Sequence, residues 1–296
     1  MRLPQGFEEY TDLQCDRLSF LQDYLAQKGV QTSVVPLNGR KHLYVNFPST
    51  SYDPTFKIKT VITHYDRVPN SPGANDNSAA NFCVADFAAR LIARPNLTHN
   101  VRIFFTDGEE LGEKGVFEQG AYKLAELFKK MGITHDDVYV FDACGRGTVP
   151  ILARAGLEVK SNSAFKRQFN DLYSRTENLL RNVCTNSWMS LPVPYSDNAG
   201  FLACGIPAVA ITFLPKEEAG LYYKNLMTDP NLEKAIMNCD IASSGGTIQK
   251  FKYKEKMPMT WRMFHTIYDN VMSLSEESFP LLGQLLDEIA SQRTLA

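Results

Sequence analysis

Acidic and imidazole side chains stand at four places in this sequence where an apolar run gives way to a turn. His64-Tyr65-Asp66 follows FKIKTVIT, Glu109 and Glu110 follow VRIFFT and a short Asp-Gly turn, and Asp142 closes VYVFD. Asp76 lies in GANDNSAA, a turn of Gly, Asn and Asp. Imidazole with several carboxylates is the donor set a divalent transition metal takes, and Zn²⁺ accepts both kinds. Glu109 and Glu110 repel one another, and nothing basic follows before Lys114. A bound cation supplies the missing charge. One carboxylate of the pair can then bind metal while the other acts as general base toward water. Asp66, two residues beyond His64, suits accepting the ring N–H that faces away from a metal. Singly, each piece has a plainer reading: H-x-D as a surface turn, GEE as a helix start stabilised by the helix dipole, and Asp76 as a turn or cap residue. Their order, spacing and position together favour a metal centre.

The elements that must position these residues follow from periodicity. Apolar spacing predicts helices over 18–30, 78–94, 120–132, 161–183 (starting at Ser capping residues) and about 276–291. Short apolar or alternating runs predict strands over 43–47, 56–63, 101–106, 138–142 and 206–212. Strands alternating with helices imply an α/β fold, a mostly parallel sheet covered by helices on both faces. Ligands in such sheets bind beyond the carboxyl ends of the strands, which is where the polar residues collect. No repeat, low-complexity tract or Pro/Gly-rich linker divides residues 1–296, so one domain is expected, with an elaborated loop at about 215–262.

Composition excludes several classes. The chain has 296 residues, 44% of them hydrophobic, enough for a large core, and a net charge of −2 that gives no field for nucleic acid or an anionic membrane. No apolar run nears the roughly 20 residues a bilayer span needs. The N-terminal stretch has no signal-peptide core, and six scattered cysteines without a CxxC suit reduced thiols. A cytoplasmic protein is expected.

The same residues carry a family resemblance. H-x-D at His64-Tyr65-Asp66, G-A-x-D at Gly73 to Asp76, G-E-E at Gly108 to Glu110, D-x-x-G at Asp142 to Gly145 and H-T-x-x-D at His265 to Asp269 occur in one order over most of the chain. This set resembles the dizinc aminopeptidases of metallopeptidase family 28. The resemblance implies the zinc-dependent exopeptidase fold, a three-layer, mixed twisted sheet. It implies two Zn²⁺ ions bridged by Asp76, one completed by His64 and Asp142 and the other by Glu110 and His265. Glu109 is then the general base, and the bond after Asp76 is cis. Tyr195-Ser196-Asp197-Asn198 looks like the family's S-D-H segment, with Asn198 where His is usual. Tyr195 becomes a candidate to polarise the substrate carbonyl, and Asp197 and Asn198 candidate substrate contacts. The stretch between Asp142 and Ser196 is too short for the lid domain of related deacylases and carboxypeptidases.

The implied activity is hydrolysis of N-terminal peptide bonds, with a free-amine peptide as the partner, no nucleic acid and no membrane. Two alternatives stand beside it: a glutaminyl cyclase-like acyltransferase with one zinc, and a non-catalytic peptide-binding relative. Retention of both His64 and Asp142 argues against the first, retention of Glu109 against the second. Other features take plain readings. Cys144 is packing; His42, His99 and His135 are surface residues outside the pattern; KFKYKEK (250–256) is a strand with a lysine face in solvent; Gly145-Arg146-Gly147 is a loop without the third glycine of a nucleotide fingerprint.

Overall fold

The computed structural model describes residues 3–111, 115–158, 161–185, 187–237 and 253–296. In chain order the elements are α1 (Phe7–Thr11), α2 (Arg17–Gln27), β1 (Thr32–Leu37), β2 (Arg40–Val45), β3 (Lys59–His64), α3 (Ala79–Ile92), β4 (Val101–Thr106), α4 (Gly120–Lys130), β5 (Asp137–Phe141), β6 (Val149–Ala153), α5 (Ser163–Cys184), β7 (Met189–Leu191), α6 (Asn198–Ala203), β8 (Ala208–Leu214), α7 (Lys216–Thr228), α8 (Pro230–Met237), α9 (Met259–Met263) and α10 (Ser278–Ser291).

The strands form one sheet in the order β1-β2-β4-β3-β5-β8-β6-β7. Its centre, β4-β3-β5-β8, is parallel. The β1–β2 hairpin joins β4 antiparallel, β6 runs antiparallel to β8, and β7 is parallel to β6. Because side chains alternate across a strand, neighbours in β3 enter different layers. Val61 packs with Phe82, Phe169 and Leu285 on the side of α1, α2, α3, α5 and α10, while Ile62 packs with Leu124, Phe201 and Leu232 on the side of α4, α6, α7 and α8. These two apolar layers make the three-layer α/β arrangement expected. The stretch between Asp142 and Ser196 is taken up by β6, α5 and β7, and no separate lid interrupts the described residues.

Several details differ from the sequence expectation. β1, β6 and β7 were not foreseen. The cap of α5 is Asn162, whose side chain accepts from Phe165 N at 2.9 Å, and not the adjacent serines. Lys216–Thr228 and Pro230–Met237 are helices, where an elaborated loop was expected. Of the proposed KFKYKEK strand, residues 250–252 lie outside the described residues, and Lys254–Lys256 forms a single 3-10 turn. His42 and His99, expected at the surface, are 0% and 1% exposed; each accepts a backbone N–H at Nδ1, from Asp107 and Val101 respectively. His135 is exposed as expected. Cys144 is buried with its Sγ toward Ile211 O, in keeping with a packing role. Among the described residues, no helix is long and apolar enough to cross a membrane.

Candidate metal centre

Parallel pairing sets His64, the last residue of β3, opposite Thr106, the last of β4. The loop leaving β4 carries Glu109 and Glu110, the loop leaving β5 carries Asp142, and the turn before α3 carries Asp76. His265 arrives from the loop after α9. The Asp76–Asn77 peptide bond is cis, as the resemblance implied.

Asp76 stands between the two histidines. Its Oδ1 is 3.2 Å from His64 Nε2, and its Oδ2 is 3.5 Å from His265 Nε2. Asp142 Oδ1 lies 3.5 Å from His64 Nε2, and Glu110 Oε2 lies 2.9 Å from His265 Nε2. Two triads result, His64–Asp76–Asp142 and Asp76–Glu110–His265, each with one donor atom per residue and these atoms within 4.8 Å of one another, and Asp76 belongs to both. His64, Glu109 and Glu110 satisfy the same criterion.

Backbone contacts explain why these side chains hold their places. The Asp66 carboxylate accepts Glu109 N and Glu110 N, each at 3.1 Å, and its Oδ1 lies 3.5 Å from His64 Nδ1. One acid therefore steadies both the imidazole and the Glu-Glu turn. Asp269 does the same for the Asp76 turn, accepting Asn75 N at 2.8 Å and Asp76 N at 3.1 Å. The asparagines beside Asp76 reach the Asp142 loop. Asn75 Oδ1 accepts Gly145 N, Asn77 Oδ1 accepts Ala143 N, and Asn77 Nδ2 donates to Phe141 O. Gly145 is required here, since a Cβ would fall 2.5 Å from that of Ala79. Gln119 Nε2 donates to Glu109 Oε1 at 3.2 Å.

The electrostatics of the cluster suit a cation. Burial pushes the Glu109 pKa well above its ordinary value, and the nearby charges of Asp142, Glu110 and Asp197 add to the effect. Glu110 is raised to about 7 by burial and by Asp76. Burial opposes the charging of His64, but Asp142, Asp66 and Asp76 outweigh it and raise its pKa. Burial likewise opposes the charging of Asp76, yet His64 and His265 hold its pKa down. Among the described residues, no Lys or Arg pairs with any of these acids. His64 Nε2 and Asp142 Oδ1 are buried without a hydrogen-bond partner, although they face one another. Buried polar atoms left so are costly, and unpaired atoms of this donor type, converging on one point, fit a transition-metal ion.

The S-D segment reaches the end of β4 through Asp197. Asp197 and Asn198 are both buried. Asp197 Oδ2 accepts the Thr106 hydroxyl, and Asn198 Oδ1 accepts Ser196 N. Burial raises Asp197 to about 7. Tyr195 is half-buried against the larger apolar layer. Sequence reasoning missed the roles of Asn75, Asn77, Gln119 and Asp269 as supports. Asp269 alone left a signal, its fixed place in H-T-x-x-D.

The sequence profile of peptidase family M28 matches residues 48–289. The chain belongs to peptidase family M28. Solved structures agree with this M28 chain in fold. The LapA aminopeptidase of Legionella pneumophila is 15% identical with a TM-score of 0.65, over 97% of this chain and 69% of that one. BSAP, a zinc aminopeptidase from Bacillus subtilis, is 16% identical with a TM-score of 0.52; the match covers 84% of this chain but 48% of BSAP, so this M28 chain accounts for about half of BSAP's length. A glutaminyl cyclase of Porphyromonas gingivalis is 11% identical with a TM-score of 0.58, over 96% and 94% of the two chains. No curated protein matches the sequence.

Proposed function

We propose that this M28 chain, residues 1–296 acting as a single peptidase domain, hydrolyses N-terminal peptide bonds with the aid of two Zn²⁺ ions. The observation that carries the reading is the position of Asp76: one carboxylate, two oxygens, each turned to a different histidine. His64 and Asp142 would complete one ion's donor set, Glu110 and His265 the other's. When bound, the ions supply Lewis-acid polarisation of the scissile carbonyl and a lowered pKa for the attacking water. Positive charge there also offsets the repulsion that raises the pKa values of Glu109 and Glu110.

The remaining work belongs to side chains. Glu109 is oriented by Gln119 at Oε1 and fixed at its backbone by Asp66. It takes the proton of the attacking water and hands it to the departing amine, so no covalent intermediate is needed. Tyr195 assists by polarising the carbonyl, and Asp197 and Asn198 help to shape the substrate's seat. The buried Cys144 thiol takes no part; burial lifts its pKa far out of the thiolate range.

Metal analysis joined to a panel of short peptides tests this. Two equivalents of zinc and stepwise release of N-terminal amino acids are expected, with N-acetylated peptides resistant; equal cleavage of acetylated peptides would remove the free-amine requirement. Glu109→Gln should retain zinc while turnover falls about 10²–10⁴-fold. Unchanged turnover would take Glu109 out of this role.

The likeness to the glutaminyl cyclase structure over nearly its whole length supports a second reading, in which the Asp76–Glu110–His265 triad holds a single ion. Loss of ammonia from an N-terminal glutaminyl peptide, with no bond cleaved in its chain, would favour that reading.

A further inference from the structure

Arg146 was a loop residue to the sequence; in the fold it ties the loop after Asp142 to α9. It lies in the same loop as Asp142, and its guanidinium uses all three nitrogens. Nε donates to Thr260 Oγ1 at 3.1 Å, Nη1 to Ser273 O at 2.9 Å and Nη2 to Glu218 Oε1 at 3.0 Å. The other Glu218 oxygen accepts both the backbone N–H and the hydroxyl of Thr260, at 2.8 and 2.9 Å. Thr260 is fully buried and lies in α9, the helix that delivers His265. A planar fork and a carboxylate thus grip the base of the His265 loop on one side. Asp269 holds its far side through the Asp76 turn.

The two halves of the cage depend on this grip unequally. The Asp142 loop has many other anchors: Asp142 N to Ile211 O, Phe213 N to Ala143 O, Ala143 N to Asn77 and Gly145 N to Asn75. The polar anchors of α9 are Glu218 and Arg146, beside the edge-on packing of Trp261 against Tyr222, and the loop itself is held by Ser71 Oγ donating to Thr266 O. We propose that Arg146, acting with Glu218, is a positioning residue that fixes His265 relative to Asp142 and so sets the affinity of the Asp76–Glu110–His265 site. This rests on the two-ion reading above. Lysine cannot reproduce the contact, since a point charge can meet Glu218 but cannot also bridge to Thr260 and Ser273.

Zn²⁺ titration by chelator competition, with thermal unfolding of the metal-free forms, tests the proposal in Arg146→Lys and Glu218→Gln. The parent chain should show two affinities. In each variant one should weaken more than tenfold while the other and the metal-free unfolding temperature stay near those of the parent. Parent-like affinities at both sites in both variants would overturn the proposal. So would equal weakening of both sites together with a lower unfolding temperature, the mark of a purely structural role. If one variant fails to fold, the other decides between these outcomes. A parent chain that binds a single ion would sink the two-ion reading instead; the positioning role then stands only if that ion's affinity drops in the variants.

Discussion

At the level of single residues, the acids in this site divide the labour in a way their shared chemistry hides. Asp76, Glu110 and Asp142 turn oxygens toward the histidines, whereas Asp66 and Asp269 spend theirs on backbone N–H groups. The first set was legible in the sequence, because a donor set has a recognisable composition and order. The second role was only half legible: Asp66 was expected to serve His64, but its hold on Glu109 and Glu110 passes through amide groups that every residue possesses. Asp269→Asn tests this division. An amide turns one acceptor into a donor, leaving one of two buried N–H groups facing another donor, at a cost of about 1–3 kcal/mol. Denaturant unfolding of the metal-free variant should show that loss, and Zn²⁺ binding should weaken with it. Parent-like stability and affinity would mean the turn holds Asp76 without Asp269.

Among the elements, the central strands and long helices were legible because their apolar patterns are long and regular. The failures have physical causes. β1 carries Pro36, tolerated because the strand is at the sheet edge, and a proline blurs the strand pattern. β7 is three residues long. Helix α7 exposes Leu221, Tyr223 and Met227 while burying only Ala219 and Tyr222, so no apolar stripe betrays it. The Asn38-Gly39 pair between β1 and β2 was a usable signal left unread: both residues have positive φ, 48° and 79°, as a two-residue hairpin turn requires. Gly39→Ala should destabilise the protein by about 1 kcal/mol. A Cβ there meets no atom within 4 Å, so urea unfolding would read the backbone preference alone. No change in midpoint would show that the hairpin contributes little to global stability.

For the molecule as a whole, the buried histidines outside the site make stability depend on pH. Burial, aided by Arg40, lowers the His42 pKa to about 4, and burial with Lys59 and Arg293 lowers that of His99 in the same way. Below the ordinary imidazole pKa of about 6.5 the unfolded chain takes up a proton that the folded chain refuses. Stability is therefore complete above that pH and falls as the pH drops toward 4, with His42 costing about 1.4 kcal/mol per pH unit within the window. Urea unfolding of the metal-free protein at several pH values, compared with His42→Gln, should show a shallower acid decline in the variant. Identical slopes would exonerate His42. Nothing in the sequence around His42 announced this, because burial is decided by strands and helices remote along the chain.

The cage itself is lopsided toward solvent. The His64 side chain is 1% exposed, but that of His265 is 34% exposed. The position beside His64 would be the more enclosed, though Asp142 there keeps a side chain 19% exposed, and the position beside His265 would face solvent through that imidazole. On the two-ion reading, a chelator added to the loaded protein is expected to strip the position beside His265 first; release of both ions at one rate would show that exposure does not set the order.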